Sequence, residues 1–223
     1  QSKKTLNHLS NVSENFYISH EGLVLDYEQA LTRKTDQFGQ VNLGAHLLWL
    51  GARSCFNDRL IDYFATLFNP IAVKLSKQLL ADDLIKLLLR LNPKKETGKI
   101  ILITRIGCNH VNEILPEWIK AVSKLSFKVV WLVDPMHANT LVDVNNCKYR
   151  LINDLVREYL LSNKLFRHYY DYDMGFHLEL SPEAGIEECV DQIVNNKSRI
   201  YKSAVDPRLN VAQALFFMQK VLC

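Results

Sequence analysis

The chain has 223 residues, 27 Lys and Arg against 24 Asp and Glu for a net charge of +3, and 48% apolar residues. That length fits one domain, the apolar fraction excludes a disordered chain, and so small and scattered a charge gives no reason to expect nucleic acid as a partner. The longest apolar runs, Leu47–Gly51 and Val129–Val133, are strand-sized, far short of the about 20 residues a membrane span requires. Gln1-Ser2-Lys3-Lys4 opens a polar segment, not the apolar core of a secretory signal. Cysteines fall at 55, 108, 147, 189 and 223; the odd number and wide spacing argue for reduced thiols and a cytoplasmic location.

Two regions are expected: a polar N-terminal segment over 1–19 and a single α/β domain over 20–223. His20 to Arg33 reads as a helix, with Leu23, Tyr27, Ala30 and Leu31 on one face. Short apolar runs then alternate with segments of helical period. The runs are Leu47–Leu50, Ile71–Leu75, Ile100–Ile103, Val129–Val133, Phe176–Leu180 and the weaker Ile200–Val205. Between and after them, Asp58–Phe68, Ala81–Leu91, Val111–Leu125, Asn153–Lys164, Gly185–Asn195 and Val211–Leu222 read as helices. Leu84, Leu87, Leu88 and Leu91 make a clear stripe of this kind. Continuous apolar strands alternating with helices predict a parallel sheet buried on both faces, here with about six strand–helix units.

Each run ends on a side chain with chemistry. Arg53, Lys74, Arg105, His137, Glu179 and Asp206 follow in order, at intervals of 21 to 42 residues. Each interval fits a helix and two loops. A single Lys or Arg after a strand is ordinarily a solvated loop residue; six charged or ligating groups at the same topological place point to one mouth. In an α/β barrel the C-terminal strand ends converge in that way. The set divides into two. Arg53, Lys74 and Arg105 suit a phosphate or carboxylate, and His137, Glu179 and Asp206 suit a divalent metal.

The stretches Glu21-Gly-Leu-Val-Leu-Asp-Tyr-Glu-Gln-Ala-Leu-Thr-Arg33, Ala45-His-Leu-Leu-Trp-Leu-Gly51, Asn69-Pro-Ile-Ala-Val-Lys74 and Ile103-Thr-Arg-Ile-Gly107 carry a resemblance. So do Asp134-Pro-Met-His-Ala-Asn-Thr140, Lys148-Tyr-Arg150, Gly175-Phe-His-Leu-Glu179, Glu188-Cys189 and Asp206-Pro-Arg-Leu-Asn210. From about Glu21 to its end the chain resembles the type II, or plant-like, 3-deoxy-D-arabino-heptulosonate 7-phosphate (DAHP) synthases. The resemblance implies a (β/α)8 TIM-barrel fold. It also implies condensation of phosphoenolpyruvate with erythrose 4-phosphate, the first step of the shikimate pathway, and a divalent metal, Mn2+ or Co2+. It makes Ala52, Arg53, Lys74 and Arg105 phosphoenolpyruvate-binding positions, and Arg53, Lys74, Arg105 and His137 catalytic ones. His137, Glu179 and Asp206 become three of four metal ligands.

The sequence departs from that family in four ways. Ala52 stands where the family has Glu, and Cys55 and Phe56 stand where it has Arg and Gln. Ala138 replaces a Gly, which leaves the backbone there less free. The family's first two barrel strands, its cysteine metal ligand and a phosphate-binding motif have no counterpart in the chain. Cys108, near the mouth, reads as a small buried apolar residue and not as a substitute ligand. The expectation is an incomplete barrel, part of a longer chain or a split gene product, inactive and prone to self-association by itself. A homo-oligomer or a separate N-terminal chain would be its partner. The competing reading is a non-catalytic paralogue that binds a phosphorylated ligand or a full-length synthase.

Overall fold

The computed structural model describes residues 16–183, 185–191 and 200–222. The chain enters through a short strand, β1 (Ser19–Glu21), and a helix, α1 (Leu25–Leu31). A hairpin of β2 (Thr32–Thr35) and β3 (Gly39–Asn42) follows, turning at Gly39 with a φ of 73°. Then comes the alternation that the apolar runs predict: β4 (Leu47–Leu50), α2 (Asp58–Thr66), β5 (Ile71–Ser76), α3 (Ala81–Leu91), β6 (Ile100–Arg105), α4 (Val111–Val122) and β7 (Val130–Val133). Past it lie an antiparallel pair, β8 (Thr140–Val142) and β9 (Lys148–Leu151), then α5 (Ile152–Phe166), β10 (Gly175–Phe176), β11 (Cys189–Val190) and α6 (Val211–Leu222). Among the described residues no helix is long and apolar enough to cross a membrane.

Six strands form one all-parallel sheet in the order β1-β4-β5-β6-β7-β10. Parallel neighbours need crossovers: α2 to α5 supply four, and α1 with the hairpin carries the chain from β1 to β4. The helices are built for that place. Asn57 caps α2 by accepting from the Leu60 amide at 3.2 Å, and α3 buries Leu84, Leu87, Leu88 and Leu91 against the sheet. β5 is buried at its first five residues, as a strand covered on both faces must be. The sheet curls. Trp49 of β4 and His177 just beyond β10 meet edge to face at 6.0 Å between ring centroids, although three strands separate β4 from β10. On a flat sheet those strands would stand about 19 Å apart at the usual strand spacing.

Several elements differ from the sequence expectation. The helix expected over 20–33 is confined to Leu25–Leu31, because Ser19–Glu21 pairs in register with Leu47, Leu48 and Trp49. This strand covers the flank of β4 that would otherwise be bare. The run Phe176–Leu180 stays on β7 only through Phe176 and the His177 amide, which donates to the Val133 carbonyl at 2.8 Å. It then leaves to bridge Leu209 from Leu180. Ile200–Val205 is not a strand: the Glu188 carboxylate holds the segment by accepting from the Lys202, Ser203 and Arg208 amides. Cys189–Val190, read as helix, pairs with Arg150 and Leu151 of β9, while 192–199 lie outside the described residues. Residues 1–15 of the polar N-terminal segment also lie outside them.

Candidate active site at the strand ends

At the C-terminal ends of the sheet lies a cavity of about 730 Å³, lined in part by Ala52, Arg53, Lys74, Arg105, His137 and Asp206. Each arrives from a different position in the curl. Ala52 and Arg53 follow β4 on the turn into the one-turn 3-10 helix Ser54–Phe56. Lys74 lies within β5 and Arg105 ends β6. His137 opens a second one-turn 3-10 helix after β7. Lys74 is only 8% exposed; its Nζ lies 5.2 Å from the centre of the Trp49 ring and 3.7 Å from Asp134 Oδ2.

Asp134 joins the two halves of the mouth. It is fully buried. Its Oδ1 accepts from the Met136 and His137 amides at 3.0 and 3.2 Å. Its Oδ2 takes the His137 Nδ1 hydrogen bond at 2.6 Å and lies 4.0 Å from Arg105 Nε. Burial raises an acid's pKa, but here hydrogen bonding and charge from His137, with further help from Lys74, win and hold the carboxyl down at about 2. The resemblance in sequence carried this residue as the first of Asp-Pro-Met-His without a role; its signal was a strand-end carboxylate three residues before a ligating histidine.

With Nδ1 held by Asp134, the other ring nitrogen of His137 faces Glu179, at 3.3 Å from Oε1. His137, Glu179 and Asp206 each offer a ligand atom within 4.8 Å of the others. One imidazole and two carboxylates make a donor set that fits a divalent ion of borderline to hard character. Two cations on β9 position the carboxylates. Lys148 Nζ donates to Asp206 Oδ1 at 2.8 Å. Arg150, fully buried, donates to Glu179 Oε2 at 2.7 Å and to the Pro207 carbonyl. They sit two residues apart on one strand, so both side chains leave the same face. Burial works to raise the Glu179 carboxyl, yet hydrogen bonds from His137 and Arg150 bring it to about 2. Burial works to depress the His137 imidazole, and the same two carboxylates, Asp134 and Glu179, hold it above its ordinary value.

Cys108 takes no part in this group. It is buried, its amide donates to Asn139 Oδ1 at 3.0 Å, and burial lifts its thiol to about 11, as befits a packed side chain. Ala138 lies in the turn His137–Asn139 without a positive φ, so this backbone accommodates alanine without strain. The pocket also holds a carboxylate that sequence reasoning did not single out. Glu21, the last residue of β1, lines it, and its Oε1 lies 2.2 Å from where a Cβ on Gly51 would be. A side chain at 51 would push the Glu21 carboxylate aside.

The description "Class-II DAHP synthetase family" matches residues 2–221. The chain belongs to the class-II DAHP synthetase family. It is 34% identical over 206 residues to a phospho-2-dehydro-3-deoxyheptonate aldolase of Streptomyces coelicolor, a match that covers 90% of this chain and 46% of that one. It is 36% identical over 225 aligned positions to the enzyme of that name from Neurospora crassa, covering 89% of this chain and 46% of the relative. The chain therefore spans about half the length of the curated relatives it matches.

Proposed function

We propose that this chain carries the phosphoenolpyruvate-binding and metal-binding face of a DAHP synthase. The reaction joins phosphoenolpyruvate and erythrose 4-phosphate with the addition of water and the release of phosphate. The observation that carries this reading is the single pocket in which Arg53, Lys74 and Arg105 stand beside His137 and Asp206. Phosphoenolpyruvate bears a phosphate and a carboxylate on one small frame, so it needs several fixed cations, and planar Arg forks suit both groups. Arg105 Nε is buried with no hydrogen-bond partner in the protein, a donor that an anion would satisfy. Asp134 stands beside Lys74 and Arg105 while turning His137 toward the opposite half.

His137, Glu179 and Asp206 would hold Mn2+ or Co2+, and such an ion, when bound, polarises a carbonyl as a Lewis acid. This chain's own residues bind and orient. The cations fix the enol phosphate, the imidazole and carboxylates fix the acceptor side, and the curl keeps the two close enough for carbon–carbon bond formation. The reading takes the six-stranded sheet as part of a (β/α)8 barrel in the cytoplasm. It also takes turnover to need strands and a fourth ligand from the part of the relatives' length that this chain does not match.

The test is thermal unfolding with and without millimolar phosphoenolpyruvate and Mn2+. A ligand present at 100 times its Kd should add about 2.7 kcal/mol of stability. No shift with either, in a folded sample, overturns the reading. Ala52 favours a second one: without a Glu beside Arg53 the chain would bind a phosphorylated ligand and catalyse nothing. Phosphate release from the two substrates, after the matching N-terminal half of a relative is supplied in trans, separates the two. Release supports the synthase; binding without release supports the non-catalytic relative.

A further inference from the structure

The carboxylate of Glu158 lies on α5, outside the pocket, and is fully buried. Its Oε1 accepts from the amides of Ile106 and Gly107 at 3.2 and 3.0 Å. Its Oε2 accepts from Asn139 Nδ2 at 2.6 Å. Asn139 closes the ring: its Oδ1 accepts from the Cys108 amide at 3.0 Å, and its Nδ2 also donates to the Pro135 carbonyl at 2.8 Å. One carboxylate and one amide thus bind residues 106–108, directly after Arg105, to residues 135–139, which contain His137.

We infer that Glu158 is a positioning residue that sets the loop after β6 against the turn after β7 and so fixes the spacing of Arg105 and His137. Three observations carry this. Each hydrogen-bond partner of the carboxylate is a donor, an arrangement that suits the acceptor-only, ionised form of Glu158. The two segments touch elsewhere only closely: a Cβ on Gly107, whose φ is 88°, would lie 3.2 Å from the Ala138 carbonyl oxygen. A buried carboxylate is also a poor way to gain stability, since an apolar residue of like volume fills such a space at lower cost. Its use here is geometric. The inference rests on the proposed reading, in which Arg105 and His137 face the ligands.

The test uses the full chain at pH 8, above the value near 7 to which burial raises this carboxyl against the pull of its amide donors. Glu158→Gln turns one acceptor into a donor facing a donor. Glu158→Gln with Asn139→Asp restores a donor–acceptor pair between these two side chains but gives up the bond from position 139 to the Pro135 carbonyl. Leu155→Ala, a fully buried position on the same helix, removes packing alone. Calorimetry should show Glu158→Gln weakening Mn2+ and phosphoenolpyruvate together, by about ten- to a hundredfold as for other groups that orient ligands. Leu155→Ala should lower the melting temperature but leave both affinities at the parent's. The double variant should regain part of the loss. Parent-like affinities in Glu158→Gln, or equal losses in Leu155→Ala, would overturn the inference. So would a double variant that fails to fold alongside the single one. If the parent binds neither ligand, the proposed function fails, and amide hydrogen exchange decides this point separately. Protection at Ile106 and Gly107 should fall in Glu158→Gln and return in the double variant, and unchanged protection overturns it.

Discussion

Asp134 shows how much one residue can organise. Two backbone amides and His137 Nδ1 converge on its two oxygens, and Lys74 and Arg105 stand within 4.0 Å of it. Asp134→Asn keeps the shape and removes the charge, so the imidazole loses the partner that sets its tautomer. Such partners ordinarily contribute about ten- to a hundredfold in metal affinity. Calorimetry with Mn2+ should show a loss of that size, and parent affinity would remove Asp134 from the account. A second single-residue effect is conformational. Gly107→Ala would place a side chain at a φ of 88° and against the Ala138 carbonyl, costing about 1–2 kcal/mol or more. Thermal unfolding should register it as a lower midpoint.

At the scale of elements, the sheet is tied together by groups that terminate its parts. Lys99, just before β6, is buried, and its Nζ donates to the carbonyls of Leu67 and Asn69, the first of them at the end of α2. Burial depresses its pKa from 10.5 to about 8, slightly offset by Glu96. The native state therefore releases this proton earlier than the unfolded chain does. Between pH 8 and 10.5 the unfolded chain binds more protons, so this group makes stability rise with pH over that window, and its penalty is fully present below it. Lys99→Met abolishes that contribution. Urea unfolding from pH 8 to 10 should give a more positive slope of stability against pH for the parent than for the variant. Equal slopes would mean that Lys99 is not held in the low-dielectric site seen here.

At the scale of the whole molecule, the parallel sheet has two outer strands, β1 and β10. β1 is three residues long and β10 two, and short edges limit but do not remove the tendency to pair with another chain. At the opposite end from the candidate site, an apolar cavity of about 670 Å³ is lined by residues that include Tyr17, Phe38, Phe68, Pro70 and Ile101. Phe38 and Phe68 meet there at a tilt, 4.6 Å between centroids, and each stays about half exposed. Open edges and exposed aromatic surface together predict self-association of the isolated chain. Sizing chromatography over a range of concentrations should show a rising apparent mass. A monomer at every concentration would show that these short edges protect themselves.

The sequence by itself determined the parts that depend on local pattern. Period-3.6 stripes such as Leu84, Leu87, Leu88 and Leu91 placed α3, and apolar runs such as Ile71–Leu75 and Ile100–Ile103 placed the central strands. The chemistry at the end of each run named Arg53, Lys74, Arg105, His137 and Asp206, which the fold gathers around one cavity. The tertiary structure decided what depends on pairing between distant segments. Ser19–Glu21 is too short and polar to read as a strand, yet β4 offers it a ladder 28 residues away. Phe176–Leu180 has strand composition, but its ladder ends after Phe176 and Leu180 bridges Leu209 instead. Lys148 and Arg150 hold Asp206 and Glu179 across 58 and 29 residues, and Glu158 reaches 51 residues back to Gly107. Periodicity records which face of an element is buried, but it carries no term for the partner, and partners chosen by closing long loops and pairing buried polar groups become visible only when the chain is folded.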